Sequence, residues 1–556
     1  MKKKGTTVLI LTSLIVLYLI LTFSFSPEPD KQTVVDCSNT SNKQLATVQF
    51  LDHQKKFKEI QAILEKALHT QQNEEDGLAT SPYLVDVIMA IAALDPDKGL
   101  SLFADLDTLY QGEGTTNVKA AVASALARVL TGSKRDEFLK ACAKIKEKEV
   151  GLSVAYSASI SSLEELQAIA DLVDSTSAEG SLILLLAAGE LKERSGDWQQ
   201  ALKMIKYQNK GNDPLAIANE IFQDYLMDDR NALEVRMKNM SQAEAQPEMI
   251  IAGSVMPLRS LLIRKTPATA DHHLQYANFI CEASKKIESD KTAFSLLGFV
   301  VDNLNDNPTG CIADQLKERW DTTYFSGSRS VGKYFAAFYA FKAMLPLDAP
   351  WATMVAEELV SSILAQENAK TYYHMVGTIA GVLATKDPER ALEIAKKIKS
   401  LEWYANALRC IYRGWGKTDP EAAFSMVKKE NFGMDEAGNK RMQADVMLEA
   451  AVGASFIDPE LAADKIALLP DKKVRFTQGY CLVAPPLAVK DLDRALSLLL
   501  PIDEQPMLAD AAIALAHIVL AHAGVDIDPT VSDFFPDYLR PRDFWPGPRF
   551  SQPIRF

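Results

Sequence analysis

Residues that carry catalysis and metal binding are scarce in this sequence. Its 556 residues include seven histidines and six cysteines, without a Cys-x-x-Cys, His-Glu-x-x-His or Gly-x-Ser-x-Gly pattern. Those patterns mark zinc or dithiol sites, metalloproteases and serine hydrolases. On a helix the adjacent His272 and His273 would diverge by about 100°, and His517 and His522 are five residues apart. We therefore expect no metal, no cofactor and no enzymatic activity.

An excess of positive charge is also lacking. The chain has 60 basic and 73 acidic residues, a formal net charge of −13. Binding to nucleic acid requires clustered lysine and arginine that neutralise phosphates. The balance predicts a well-solvated acidic exterior and no nucleic-acid partner.

One segment imitates a phosphate-binding loop but lacks its essential parts. Gly327–Lys333 has the glycine and lysine spacing of that loop, yet Tyr334 stands where a magnesium-binding Ser or Thr belongs. The loop must also follow a strand, whereas Cys311–Thr323 has the pattern of a helix. We interpret the segment as a turn between two helices.

What the sequence does contain is a repeated hexamer that predicts helix starts. Aspartate is a favoured N-cap, proline suits the first helical position, and the next acidic residue complements the helix dipole. A second apolar-periodic helix precedes each later copy, so the unit is a helical hairpin with a period of 32 to 39 residues. The copies begin at Asp387, Asp419, Asp458 and, in decayed form, Asp491.

These repeats resemble the tetratricopeptide and HEAT-like classes of helical repeat over roughly residues 80–520. The resemblance rests on the Asp-Pro caps, on the small residues Ala407 and Gly414, and on the run Gly196–Leu202. The period drifts, and no single unit carries a full consensus. The resemblance implies an all-α fold, an α-solenoid of helical hairpins, and a habit of binding proteins or peptides.

The N-terminus predicts a membrane anchor. Met1–Lys4 is basic, and Val8–Phe25 is an apolar run long enough to span a bilayer. Pro27 would follow the scissile bond of a signal peptide, which favours a retained signal-anchor over cleavage. The lysines place the N-terminus in the cytoplasm. We expect a single-pass inner-membrane protein with its bulk extracytoplasmic or periplasmic; the alternative is a secreted or periplasmic protein after cleavage.

Composition divides the chain into six parts. Leu45–His69 is either a stalk or dimerising coiled coil, or a first helix packed on the array. The aromatic-rich segment Tyr334–Phe341 suits a buried helix. Val525–Phe556, with six prolines and seven aromatics, is either a cap on the last repeat or an extended docking segment. The predicted parts are 1–26 basic flank and anchor, 27–44 linker, 45–240 N-terminal repeat lobe, 241–347 middle helices, 348–523 C-terminal repeats and 524–556 extension.

Cysteine pairing is open, because six cysteines allow fifteen connectivities. Cys281 and Cys311 suit a disulfide between adjacent helices, whereas the apolar surroundings of Cys142 and Cys410 suit buried thiols.

For the whole protein we expect a membrane-anchored scaffold that binds protein or peptide partners on a long groove left free by the array, its oligomeric state undetermined. The alternatives are an envelope enzyme with a helical-superhelix body, for example one acting on peptidoglycan, and a subunit of a larger membrane complex. An enzyme of that kind would need a catalytic module within residues 245–347.

Overall fold

The computed structural model describes residues 54–70, 83–106, 115–145, 147–158, 160, 162–194, 198–208, 214–242, 253–255, 257–258, 267–302, 304, 310–321, 323–325, 331–366, 372–429, 432, 435–500 and 505–523. Within these ranges the chain forms 26 α-helices and no strand, which confirms the all-helical prediction. The predicted anchor, the linker and the C-terminal extension lie outside the described residues. No helix within these ranges is long and apolar enough to cross a bilayer.

The helices follow one another in a single order along the chain. They are α1 (Gln54–Thr70), α2 (Tyr83–Leu94), α3 (Pro96–Ala104), α4 (Thr115–Val129), α5 (Gly132–Cys142), α6 (Lys148–Ser157), α7 (Leu163–Ala170), α8 (Ala178–Arg194), α9 (Trp198–Met204), α10 (Pro214–Leu226), α11 (Arg230–Gln242), α12 (Pro267–Ser284), α13 (Asp290–Asp302), α14 (Gly310–Arg319), α15 (Val331–Met344), α16 (Ala349–Leu364), α17 (Tyr373–Leu383), α18 (Pro388–Ala395), α19 (Leu401–Gly416), α20 (Pro420–Val427), α21 (Glu436–Ala454), α22 (Pro459–Ala467), α23 (Lys472–Val474), α24 (Cys481–Lys490), α25 (Leu492–Leu499) and α26 (Gln505–His522); a π-helical segment, Arg475–Tyr480, links α23 to α24.

The repeated aspartates stand at the starts of short helices. Asp387, Asp419, Asp458 and Asp491 each accept a hydrogen bond from the backbone N–H three residues on, at 2.9, 3.0, 3.0 and 2.9 Å. Each therefore satisfies a donor that the first turn would otherwise leave unpaired. Asp95 and Asp348 cap α3 and α16 in the same way. Asp348 does not match the hexamer pattern, because the proline stands at the second position of α16 instead of the first.

Most of the helices form two layers. The helices that the repeated aspartates cap, with their equivalents earlier in the chain, form the outer layer, and the helices that precede them form the inner layer. Packing between inner helices is closest for α4 with α6, α13 with α15, α17 with α19, α19 with α21, α24 with α26, and α26 with α2. In a curved two-layer array the more closely spaced layer lies inside the curve. The inner layer comprises α2, α4, α6, α8, α13, α15, α17, α19, α21, α24 and α26, and the outer layer α1, α3, α5, α7, α16, α18, α20, α22 and α25.

Glycine allows the inner helices to approach this closely. Gly414 of α19 has no room for a β-carbon, because that atom would overlap the carbonyl oxygen of Gly381 on α17. A side chain there would force the two backbones apart. The same holds for the contacts of Gly381 with Cys410, Gly416 with Ala450 and Gly453 with Arg413.

Long charged side chains bridge the outer helices instead. The third residue after a capping aspartate pairs with an acidic residue of the preceding outer helix in three units: Lys98 with Glu65, Arg390 with Glu357, and Arg494 with Asp464. Close contact inside and longer bridges outside make each unit a wedge, and a row of wedges curves.

The curve brings the two ends of the described array together. Helix α26 packs against α2 and α1, with His517 Nε2 3.1 Å from Asp86 Oδ2. Lys56 of α1 pairs with Asp493 of α25, and the rings of Phe57 and His522 are 5.6 Å apart. No outer helix follows α26 within the described residues, and α1 occupies that position. For Gln54–Thr70, the described part of the segment that begins at Leu45, the structure thus shows a helix packed on the array.

The inner-layer contact predicts the effect of one substitution. Changing Gly414 to alanine should lower the free energy of unfolding by about 2 kcal/mol, because the added methyl group meets backbone. Circular dichroism melting would measure the loss as a lower Tm.

The matched control is Gly310→Ala, at a helical glycine where an added methyl group would have no other atom within 4 Å. It should leave Tm unchanged or raise it, since alanine favours helix. An equal loss in both variants would contradict the close-contact argument.

Candidate functional site

A row of half-buried polar side chains crosses the inner helices α17, α19 and α21, the π-helical segment before α24, and α26. His374, Asn406, Asp445 and Gln478 each lie thirteen residues before the next capping aspartate, and so occupy the same position in successive units. Asp510 of α26 extends the row. Cys481 and Arg409 occupy the same position, ten residues before their capping aspartates. Asp510 lies beside Cys481 in the same way that Asp445 lies beside Arg409. We call His374, Asn406, Asp445, Gln478 and Asp510 the polar row.

The polar row faces away from the outer layer. On α19, Ala407 and Ile411 are fully buried in the core, whereas Glu402, Asn406 and Arg409 are exposed or half-buried at helical spacing on the opposite side. We call this side of the inner layer the inner face. It is the face that an extended partner would meet after passing inside the curve.

Two ion pairs join α19 to α21 at this face. Arg409 pairs with Asp445, and one turn further on Arg413 Nε lies 2.9 Å from Glu449 Oε2, with both side chains at least 92% buried. A different register between the helices would leave each buried charge without its partner, which is costly. The pair therefore strongly favours this register.

At the two neighbouring interfaces, the positions equivalent to Arg413 and Glu449 carry no charged side chains. Gly381 with Cys410 occupies them between α17 and α19, and Val452 with Leu482 between α21 and α24. The closing interface between α26 and α2 has His517 and Asp86 at these positions. Asp86 lies nine residues before the capping Asp95, just as Glu449 lies nine residues before the capping Asp458. The ends of the array therefore meet in the register of an internal interface.

The helix backbone is irregular near Gln478. Gln478 lies in the π-helical segment Arg475–Tyr480, and Pro485 and Pro486 lie inside α24. Single π turns inside α-helices recur at functional sites. Burial raises the pKa of Asp510 from 3.8 to about 6, against an opposing effect of Lys473. Burial, with Asp510 nearby, raises the pKa of the Cys481 thiol.

Aromatic side chains border the polar row at the starts of α15, α17 and α19. The rings of Phe325 and Tyr334 are stacked 5.6 Å apart, and Tyr334 lies 5.6 Å from Tyr372. Tyr373 and Trp403 are 6.3 Å apart. Apart from Tyr334 these rings are half-buried, so their edges are available to a ligand. We call Phe325, Tyr334, Tyr372, Tyr373 and Trp403 the aromatic rim.

The residues singled out from sequence lie elsewhere. Cys281 and Cys311 are joined by a disulfide bond between α12 and α14, with Cα atoms 6.7 Å apart. Cys142 is buried, and burial raises the pKa of its thiol to about 12. Asp387, Asp419, Asp458 and Asp491 are held in caps, away from the inner face. Lys333 of the loop-like segment lies on α15, while most of that segment lies outside the described residues.

Sequence inspection did not find the polar row, although a signal exists. Counting back thirteen residues from each capping aspartate gives His, Asn, Asp and Gln in turn, but that register has meaning only once the inner helices are known to lie side by side. Within the described ranges no three His, Cys, Asp or Glu side chains are grouped to hold a metal ion.

Comparisons of the chain with protein-family models, with curated proteins and with solved structures find no match. Function is therefore inferred from the polar row and the aromatic rim themselves.

The raised pKa of Asp510 predicts how stability depends on pH. A carboxyl group with a folded pKa above its unfolded pKa stabilises the fold below pH 4, and that contribution is lost as pH rises through 6. Asp510→Asn should therefore stabilise the protein at pH 7.5 by about 1–2 kcal/mol, the half-buried position being partly screened, and by almost nothing at pH 4.

Thermal melting of parent and variant across this range measures the difference. A constant difference at every pH, or a variant less stable at pH 7.5, would contradict the assignment.

Proposed function

We propose that this protein is a membrane-anchored scaffold whose inner face binds an extended segment of a partner protein on the extracytoplasmic side. The observation that carries the proposal is the polar row, five hydrogen-bonding side chains at one position of consecutive helices, bordered by the aromatic rim. The side chains of the row are half-buried and therefore reach solvent on the inner face.

The chemistry of the row suits a peptide backbone. Asn406 and Gln478 carry amides that both donate and accept, and Asp445 and Asp510 carry carboxyl groups that accept when ionised. An extended chain presents unpaired N–H and C=O groups along its length, so side chains one helix apart can bind it without reading its sequence. Half-buried Tyr and Trp side chains supply apolar contact area, as they do at protein interfaces.

The proposed location rests on the N-terminal sequence and on one covalent bond. The basic flank and apolar run of Met1–Phe25 support an anchor that leaves the array outside the cytoplasm. The Cys281–Cys311 disulfide supports the same side, because such bonds persist in oxidising compartments. The described helices of residues 245–347 contact their neighbours in the array, which favours the scaffold over an enzyme with a separate catalytic module there.

Site-specific photo-crosslinking tests the binding face. A photoreactive amino acid at Asn406 or Gln478, introduced one at a time in cells, should capture one partner as a discrete band. The matched controls are Lys396 and Ser425, which are exposed on the outer-layer side. Mass spectrometry of the band identifies the partner.

Equal capture from both layers, or capture from the controls alone, would contradict binding at the inner face. Capture from both layers within one large detergent-stable assembly would instead favour the subunit of a membrane complex.

Trapping thiols at the moment of lysis tests the location. Cells are quenched in acid, and their proteins are then alkylated at neutral pH in denaturant. Cys281 and Cys311 should stay unmodified and be recovered as one disulfide-linked peptide pair. The buried thiol of Cys142 should be alkylated once the chain is denatured. Recovery of Cys281 and Cys311 as alkylated thiols would place the array in a reducing compartment and contradict the proposal.

A further inference from the structure

The spacing of the polar row restricts the conformation of its ligand. Packed helices lie about 8–10 Å apart, so the row offers one polar group at about that interval. A polyproline II helix rises about 3.1 Å per residue with three residues per turn, which gives about 9.3 Å per turn. The same face of such a ligand therefore recurs about once for every inner helix along the row.

Other peptide conformations do not match this interval. A β-strand repeats each face after two residues, or about 6.7 Å, and an α-helix repeats after about 5.4 Å. Either ligand would fall out of register within two inner helices. Polyproline II also leaves every backbone carbonyl free of internal hydrogen bonds, so Asn406 and Gln478 can donate to it.

The aromatic rim and one carboxyl group add side-chain selectivity. Proline-rich segments dock on surfaces lined by aromatic rings, and Tyr372, Tyr373 and Trp403 lie at the starts of the helices that carry His374 and Asn406. Asp510 carries the carboxyl group at the far end of the row, whereas Asp445 is already paired with Arg409. A basic residue at that end of the ligand complements the carboxylate.

We propose that the polar row binds a proline-rich segment in the polyproline II conformation, one turn per inner helix, with a basic residue opposite Asp510. The inference rests on the proposed function, and names the class of partner for the same face. Its ligand is a segment of another protein; the chain's own residues 524–556, which contain six prolines, are an alternative source that the test separates.

Three synthetic peptides test the conformation. The first is built from Pro-Pro-Arg triplets over about fifteen residues, enough for five turns; the second replaces Pro-Pro with Gly-Ser at equal charge; the third copies residues 536–556 of this chain. Fluorescence anisotropy with the full chain in detergent micelles should show the Pro-Pro-Arg peptide binding at least tenfold more tightly than the Gly-Ser-Arg peptide. Equal affinity of these two would overturn the proposal.

Variants of the row test the site. Asn406→Ala combined with Gln478→Ala should weaken the Pro-Pro-Arg peptide about tenfold, whereas Gln167→Ala, an exposed glutamine of the outer helix α7, should leave affinity unchanged. A fourth peptide, built from Pro-Pro-Gln triplets, tests the carboxyl group: Asp510→Asn should reduce the preference for Pro-Pro-Arg over this peptide. A Tm no lower than that of the parent in each variant separates lost binding from lost folding, and equal effects of row and control variants would overturn the assignment to the row.

The outcomes also separate this inference from the proposed function. If inner-face crosslinks capture a partner while the Pro-Pro-Arg peptide does not bind, the scaffold stands and the polyproline II inference fails. If neither experiment succeeds, both fail. Tighter binding of residues 536–556 than of Pro-Pro-Arg supports the conformation, and identifies the chain's own extension as its source.

Discussion

The architecture depends on how closely the inner helices approach one another. Glycines at Gly381, Gly414, Gly416 and Gly453 bring neighbouring backbones into contact, while arginine and lysine side chains span the wider gaps of the outer layer. The difference in spacing makes each helical hairpin a wedge, and the wedges bring α26 round to α2. Curvature therefore depends mainly on small residues at a few contact positions.

Local chemistry made part of this fold predictable. An aspartate before proline and a glutamate satisfies a helix start by itself, so Asp387, Asp419 and Asp458 mark helices from sequence alone. The meeting of the chain ends was not predictable in that way, because His517 and Asp86 are 431 residues apart and neither has a distinctive neighbourhood. The polar row was missed for the same reason: its register follows from the packing of one inner helix on the next.

Closure also changes the interpretation of the terminal helices. An open array needs end caps that shield its last apolar face, and here α1 and α2 cover α26 by contacts with Phe57 and Asp86. The predicted cap formed by residues 524–556 lies outside the described residues and stays a prediction. Helix α26 serves two purposes, since it completes the closing interface and carries Asp510, the last member of the polar row. Binding at the inner face and closure of the array are therefore expected to influence each other.

The central claim is that the two ends of the array lie against each other in solution. Pulsed electron paramagnetic resonance between spin labels attached through unnatural amino acids at Lys58 and Ala521, both exposed, measures this separation directly. Since adjacent helices pack about 8–10 Å apart, the account predicts one narrow distance distribution below about 30 Å. A broad distribution, or one centred well beyond that distance, would show an open array and contradict the account.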